Sequence, residues 1–171
     1  MICPQTVIKM CELVRLGLDF PHHARRYTMV LKARAKASIV IIDDQETIRT
    51  TLRKMLEGEG YRVRTFDNAG EGAIHVWQNR AKVDLILLDL EMEETGATGE
   101  EFFKRIRNIP DVDIQRIPIV IVTSVTSRED VMRVVKLNPD GYVIKPFKHE
   151  PMVAKVEECL AHSKKKRSQL R

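Results

Sequence analysis

Five short apolar runs punctuate the chain from Ser38 onward, and a stretch with helical spacing follows each of them. "SIVIID" (38–43) precedes Ile48, Leu52, Met55 and Leu56, whose repeat predicts a helix ending near Gly58 and Gly60. "YRVRTF" (61–66) alternates polar and apolar residues and leads to a predicted helix over Ala69–Asn79. "VDLILLD" (83–89) is apolar again, and a Gly-containing loop joins it to a helix around Glu100–Arg107. "IPIVIVTS" (117–124) precedes a helix over Arg128–Leu137. "GYVIK" (141–145) is the last predicted strand, and Val153, Val156 and Leu160 mark a final helix.

Strands and helices alternating at these lengths predict an α/β fold, a doubly wound parallel sheet with helices on both faces. The runs IVII, LILL and IVIV are continuously apolar, as central strands are. The second run alternates and the fifth is short, which suits edges. These features fit the five-stranded, flavodoxin-like order 2-1-3-4-5. In that order the crevice between strands one and three, beyond their carboxyl ends, is where ligands bind. Asp43 and Asp44 end strand one, Asp89 ends strand three, Thr123 and Ser124 end strand four, and Lys145 ends strand five.

Three carboxylates at one edge repel and raise one another's pKa unless a cation joins them. Mg²⁺ suits such a site, because it takes oxygen ligands in octahedral geometry and combines carboxylates, waters and a phosphoryl oxygen. Lys145 adds a mobile point charge. A carboxylate beside Mg²⁺ and a lysine can attack phosphorus and form an aspartyl phosphate.

"IIDD", "LILLDLEM", "IVTS" and "GYVIKPF" together resemble the receiver domain of two-component response regulators, over about residues 38–162. The resemblance is to stand-alone, chemotaxis-type receivers. It implies that Asp89 is the phosphoacceptor and that Asp44, Asp89 and the backbone carbonyl of Glu91 ligate Mg²⁺. Asp43 would hold the metal through water, Thr123 and Lys145 would bind the phosphoryl group, and Tyr142 would join Thr123 as a switch residue. The donor would be a sensor histidine kinase or a histidine phosphotransfer protein. The family also usually carries a cis bond at the position of Lys145-Pro146. One departure is the loop "EMEETGATGEE" (91–101). Glu93 follows Met92 where the family usually has proline and then a glycine at fixed spacing, and the loop is about two residues longer.

Plainer roles exist for the same residues. The aspartate pair can cap a helix and charge its first turn. Thr123 can merely cap a helix, a role that Ser124 or Ser127 can take instead, and Tyr142 can be an ordinary edge aromatic. The coincidence of Asp89 and Lys145 with the pair favours the reactive reading.

The net charge of +5 does not describe the middle of the chain. Residues 1–37 hold seven Lys/Arg against two acids, residues 163–171 hold five bases, and 38–162 hold 17 bases against 22 acids. Residues 1–37 read as a basic extension. Val7, Met10, Cys11, Val14 and Leu18 share one face of a candidate docking or dimerisation helix there, and Met29 is an alternative start. Residues 163–171 read as a solvated basic tail, and both ends are expected to be dispensable for the fold. No recognition fold supports direct binding of nucleic acid.

The N-terminus lacks a signal-peptide core, and no apolar run suits membrane insertion. Cys3, Cys11 and Cys159 lack paired spacing, and Cys3, Cys11, His22 and His23 lack zinc-site spacing. A cytoplasmic protein with free thiols is therefore expected. With no output domain after the last helix, signalling is expected through protein contacts and a weak homodimer, as a phosphoacceptor rather than a turnover enzyme. Two alternatives use the same fold. One is a phosphorylation-independent adaptor. The other is a haloacid-dehalogenase-type phosphatase, disfavoured because Gln45 stands where a second acid is needed.

Overall fold

The computed structural model describes residues 35–92, 98–124 and 127–168. The expectations for residues 1–34 and for Glu93 lie outside them. In chain order the elements are β1 (Ser38–Ile42), α1 (Glu46–Gly58), β2 (Arg62–Phe66) and α2 (Ala69–Asn79). A 3₁₀ turn (Arg80–Lys82), β3 (Leu85–Leu88), α3 (Gly99–Asn108) and the short α4 (Val112–Gln115) follow. The chain continues through β4 (Ile119–Thr123), α5 (Arg128–Leu137), β5 (Gly141–Ile144) and α6 (His149–Ser168). The strands form one parallel sheet in the order β2-β1-β3-β4-β5, as the apolar runs predict.

The central strands are apolar throughout because each face of the sheet is covered. Val40, Ile42, Ile86, Leu88, Ile119 and Ile121 face Val76 of α2, Phe102, Phe103 and Ile106 of α3, and Val134 of α5. Ile39, Ile41, Leu85, Leu87, Val120 and Val122 face Leu52 and Leu56 of α1 and Met152 and Val156 of α6. The period-two alternation of a strand thus divides each run between two cores. Each strand therefore ends on the same rim with its register fixed.

Gly60 closes α1. Its φ is +86°, its N–H bonds Glu57 O, and the Tyr61 N–H bonds Leu56 O. This is a left-handed cap that glycine adopts without strain. Two features differ from expectation. Helix α4 occupies a segment where no element is predicted: Asp111 caps it by accepting from the Asp113 and Ile114 N–H groups, and Ile114 is fully buried. Helix α6 also runs on to Ser168, into the segment 163–171 expected to be a tail. Its lysines and arginine are good helix formers, and no glycine or proline stops it.

Candidate functional site

The rim at the carboxyl ends of the strands carries Asp43, Asp44, Asp89, Thr123 and Lys145. Backbone bonds tie its parts together: the Asp43 N–H to Phe66 O, the Asp89 N–H to Ile42 O, and the Lys145 N–H to Thr123 O at 2.8 Å. Asp43, Asp89 and Thr123 are buried, and Asp44 is partly exposed. Oxygens of the three carboxylates lie within 4.8 Å of one another.

Lys145 is the cation inside the cluster. Its Nζ donates to Asp43 Oδ2 at 2.8 Å and to Asp89 Oδ2 at 2.6 Å, and its side chain is only 7% exposed. The peptide that follows it, Lys145-Pro146, is cis, as expected. Burial alone lowers the lysine's pKa, but the bonds from Asp43 and Asp89 outweigh it and leave the ammonium held more firmly than usual. Burial dominates at Asp43 and raises its pKa despite Lys145, with Asp89 pushing the same way. The cluster is thus short of positive charge even with the lysine in place.

The remaining contacts show what the site lacks. Asp43 Oδ1 accepts the Gln45 N–H at 2.8 Å, and Asp89 Oδ1 accepts the Glu91 N–H at 3.1 Å. Among the described residues, two buried side-chain polar atoms have no partner, Asp44 Oδ1 and Thr123 Oγ1. One is an acceptor pointing into a carboxylate cluster and the other is a hydroxyl. A hard cation satisfies the first, and a ligand with anionic oxygens satisfies the second. Ser127 is committed elsewhere. Its hydroxyl caps α5, accepting the Asp130 N–H and donating to the Asp130 carboxylate. Gln45 is exposed, and the second acid of the phosphatase pattern is missing at this rim.

Tyr142 is 52% exposed and lines a small apolar hollow with Thr123, Val131, Val134, Val135 and Ile144. Thr123 therefore touches both the carboxylate rim and the face of β5 and α5.

Two residues escaped the sequence reading. Arg49, on the first turns of α1, donates from Nη1 to the carbonyls of both Asp43 and Asp44 at 2.7 Å. Nothing in the apolar pattern marks it, since its partners are backbone atoms. Gly99 opens α3 so close to the loop after β3 that a Cβ would lie 1.9 Å from Asp89 O. The late glycine in "EMEETGATGEE" was the available signal. The extra length of that loop falls before Gly99, and the glycine still meets the Asp89 backbone.

The family described as "Response regulator receiver domain" matches residues 39–157. The chain belongs to this family. It is 32% identical over 126 residues to the phosphate regulon transcriptional regulatory protein PhoB of Rhizobium meliloti, covering 74% of this chain and 53% of that protein. It is 35% identical over 124 residues to the transcriptional regulatory protein YvrH of Bacillus subtilis, covering 72% and 49%. The chain thus spans about half the length of these curated relatives. Among solved structures it resembles the chemotaxis protein CheY4 of Vibrio cholerae, with a TM-score of 0.63 and 27% identity, covering 72% of this chain and 98% of that one.

Receiver domains are phosphoacceptor signalling modules that work with histidine kinases or phosphotransfer proteins and bind Mg²⁺ at an acidic pocket. This receiver carries such a pocket. Among the described residues, no helix is long and apolar enough to cross a membrane.

Proposed function

We propose that this receiver takes a phosphoryl group onto Asp89 from a phosphohistidine of a sensor kinase or phosphotransfer protein. The Asp89 carboxylate bonds to phosphorus as the P–N bond to the donor imidazole breaks. The imidazole keeps the electron pair and takes a proton from solvent. Asp44, Asp89 and the Glu91 carbonyl would hold Mg²⁺, with Asp43 orienting the site, and the bound ion would supply positive charge to offset that of the transferring group. Lys145 holds the Asp89 carboxylate in place before transfer, and its ammonium then follows the phosphoryl oxygens. Thr123 donates its hydroxyl to one of those oxygens.

The observation that carries this reading is the pair of unpartnered buried atoms on either side of Asp89, Asp44 Oδ1 and Thr123 Oγ1. A purely structural ion-pair cluster has no reason to leave them bare. The output then runs through Thr123 to the hollow it shares with Tyr142, and from there to a downstream protein or a second copy meeting β5 and α5. A cytoplasmic location and no turnover activity complete the proposal.

Acetyl phosphate with Mg²⁺ is expected to add one phosphoryl group by intact mass. Asp89→Asn, or excess EDTA, is expected to abolish the addition. An Asp89→Asn protein that gains the same mass would overturn the assignment.

A further inference from the structure

The two acids nearest the lysine and the third acid are held in different ways. Asp43 and Asp89 are gripped through their carboxylates by Lys145. Asp44 Oδ1 is gripped by nothing, so its carboxylate points where its backbone sends it. That backbone sits in a bend between β1 and α1. The start of α1 has no ordinary support: Gln45 occupies the cap position, and its side chain makes no capping bond. The first helical bond, from the Arg49 N–H, reaches only as far back as Gln45 O, leaving the Asp43 and Asp44 carbonyls outside the helix ladder. Arg49 takes up both. One guanidinium nitrogen has two hydrogens, and Nη1 lies 2.7 Å from each carbonyl.

We propose that Arg49 is a positioning residue that clamps the Asp43–Asp44 backbone and thereby aims the Asp44 carboxylate at the metal. This rests on the Mg²⁺ reading given above. A charged donor makes stronger bonds to carbonyls than a neutral one. Arg49 spends that strength on backbone oxygens, so it adds positive charge beside the cluster without competing with the metal for a carboxylate. Both bonds leave one nitrogen at the end of a long stem; a lysine ammonium has hydrogens enough for two carbonyls but sits on a stem one bond shorter. Groups behind metal ligands typically change metal affinity by about 10- to 100-fold when removed.

The test compares the full-length protein with Arg49→Ala and Arg49→Lys. Hydrogen exchange in EDTA should show faster amide exchange confined to residues 43–47 in Arg49→Ala, with the amides of β3 and β4 unchanged. Calorimetry should show Mg²⁺ binding weakened about tenfold by Arg49→Ala and about threefold by Arg49→Lys. The rate with acetyl phosphate at saturating Mg²⁺ should stay within twofold, while the half-saturating Mg²⁺ concentration rises.

Unchanged exchange at residues 43–47, or faster exchange across the whole sheet, overturns the clamp. Wild-type Mg²⁺ affinity in Arg49→Ala also overturns it, because Asp44 is then aimed without the clamp. A wild-type protein that binds no Mg²⁺ defeats the metal reading instead, and the metal-free exchange pattern then decides the clamp by itself.

Discussion

Lys145 holds two buried carboxylates that otherwise face each other without compensation. Removing one partner of a buried ion pair costs far more than the pair itself contributes. Lys145→Ala is therefore expected to lower stability in EDTA at pH 7 by about 3 kcal/mol, with Mg²⁺ recovering part of the loss. Urea unfolding measures both, and an unchanged midpoint in EDTA would contradict the charge account. Asp43 gives the pH dependence. Its pKa is raised in the folded protein, chiefly by burial, so the folded state binds that proton more tightly than the unfolded state does. Its stabilising contribution is present at low pH and is lost as pH rises through its folded-state pKa. Relative to Asp43→Asn, the metal-free wild type should gain stability as pH falls from 7 toward 4, and a difference that moves the other way would refute the burial argument. Gly99→Ala should cost about 3 kcal/mol, since its Cβ has no room against the Asp89 backbone and overpacking at this distance displaces the loop.

Helices and strands were legible in the sequence where period and capping agreed. Helix α2 and helix α5 match their predicted spans, and each begins at a side-chain cap, Asn68 or Ser127. Helix α4 was not legible because four residues are too few to show a period. Its existence depends on Asp111 and on Ile114 reaching the core. Arg49 was illegible for another reason: a side chain that bonds carbonyls leaves no mark on the residue types of its partners. The acids, Thr123 and Lys145 were legible because each directly follows or ends an apolar run. At this scale Cys159 makes a test of α6. Burial pushes its thiol up to about 11, and its Sγ lies 3.3 Å from the Asp140 carbonyl beside the close-packed Gly141. Iodoacetamide at pH 8 should spare Cys159 in the folded protein and label it in urea, as read by peptide mass mapping. Rapid labelling of the folded protein would mean that α6 leaves the sheet.

Across the whole molecule, the parallel sheet gathers residues from four strand ends onto one rim, and the helices run back toward the other. Trp77 lies two residues before the end of α2, beside the Arg80 guanidinium, and is 48% exposed. A ligand that binds only the folded form raises its stability. Mg²⁺ should therefore raise the thermal midpoint, and Asp44→Ala should remove most of the shift. The fluorescence of Trp77 should barely change, because the tryptophan is at the far end of its helix from the carboxylates. Strong quenching that depends on Asp44 would contradict that placement. The central claim is that Asp89 is where the phosphoryl group goes, and trapping the bond tests it most directly. After reaction with acetyl phosphate and Mg²⁺, borohydride reduction converts an aspartyl phosphate to homoserine, which peptide sequencing by mass spectrometry locates. The account predicts homoserine at position 89 alone. Homoserine at 43 or 44, or a phosphoryl group that resists borohydride and maps to a hydroxyl, would contradict it.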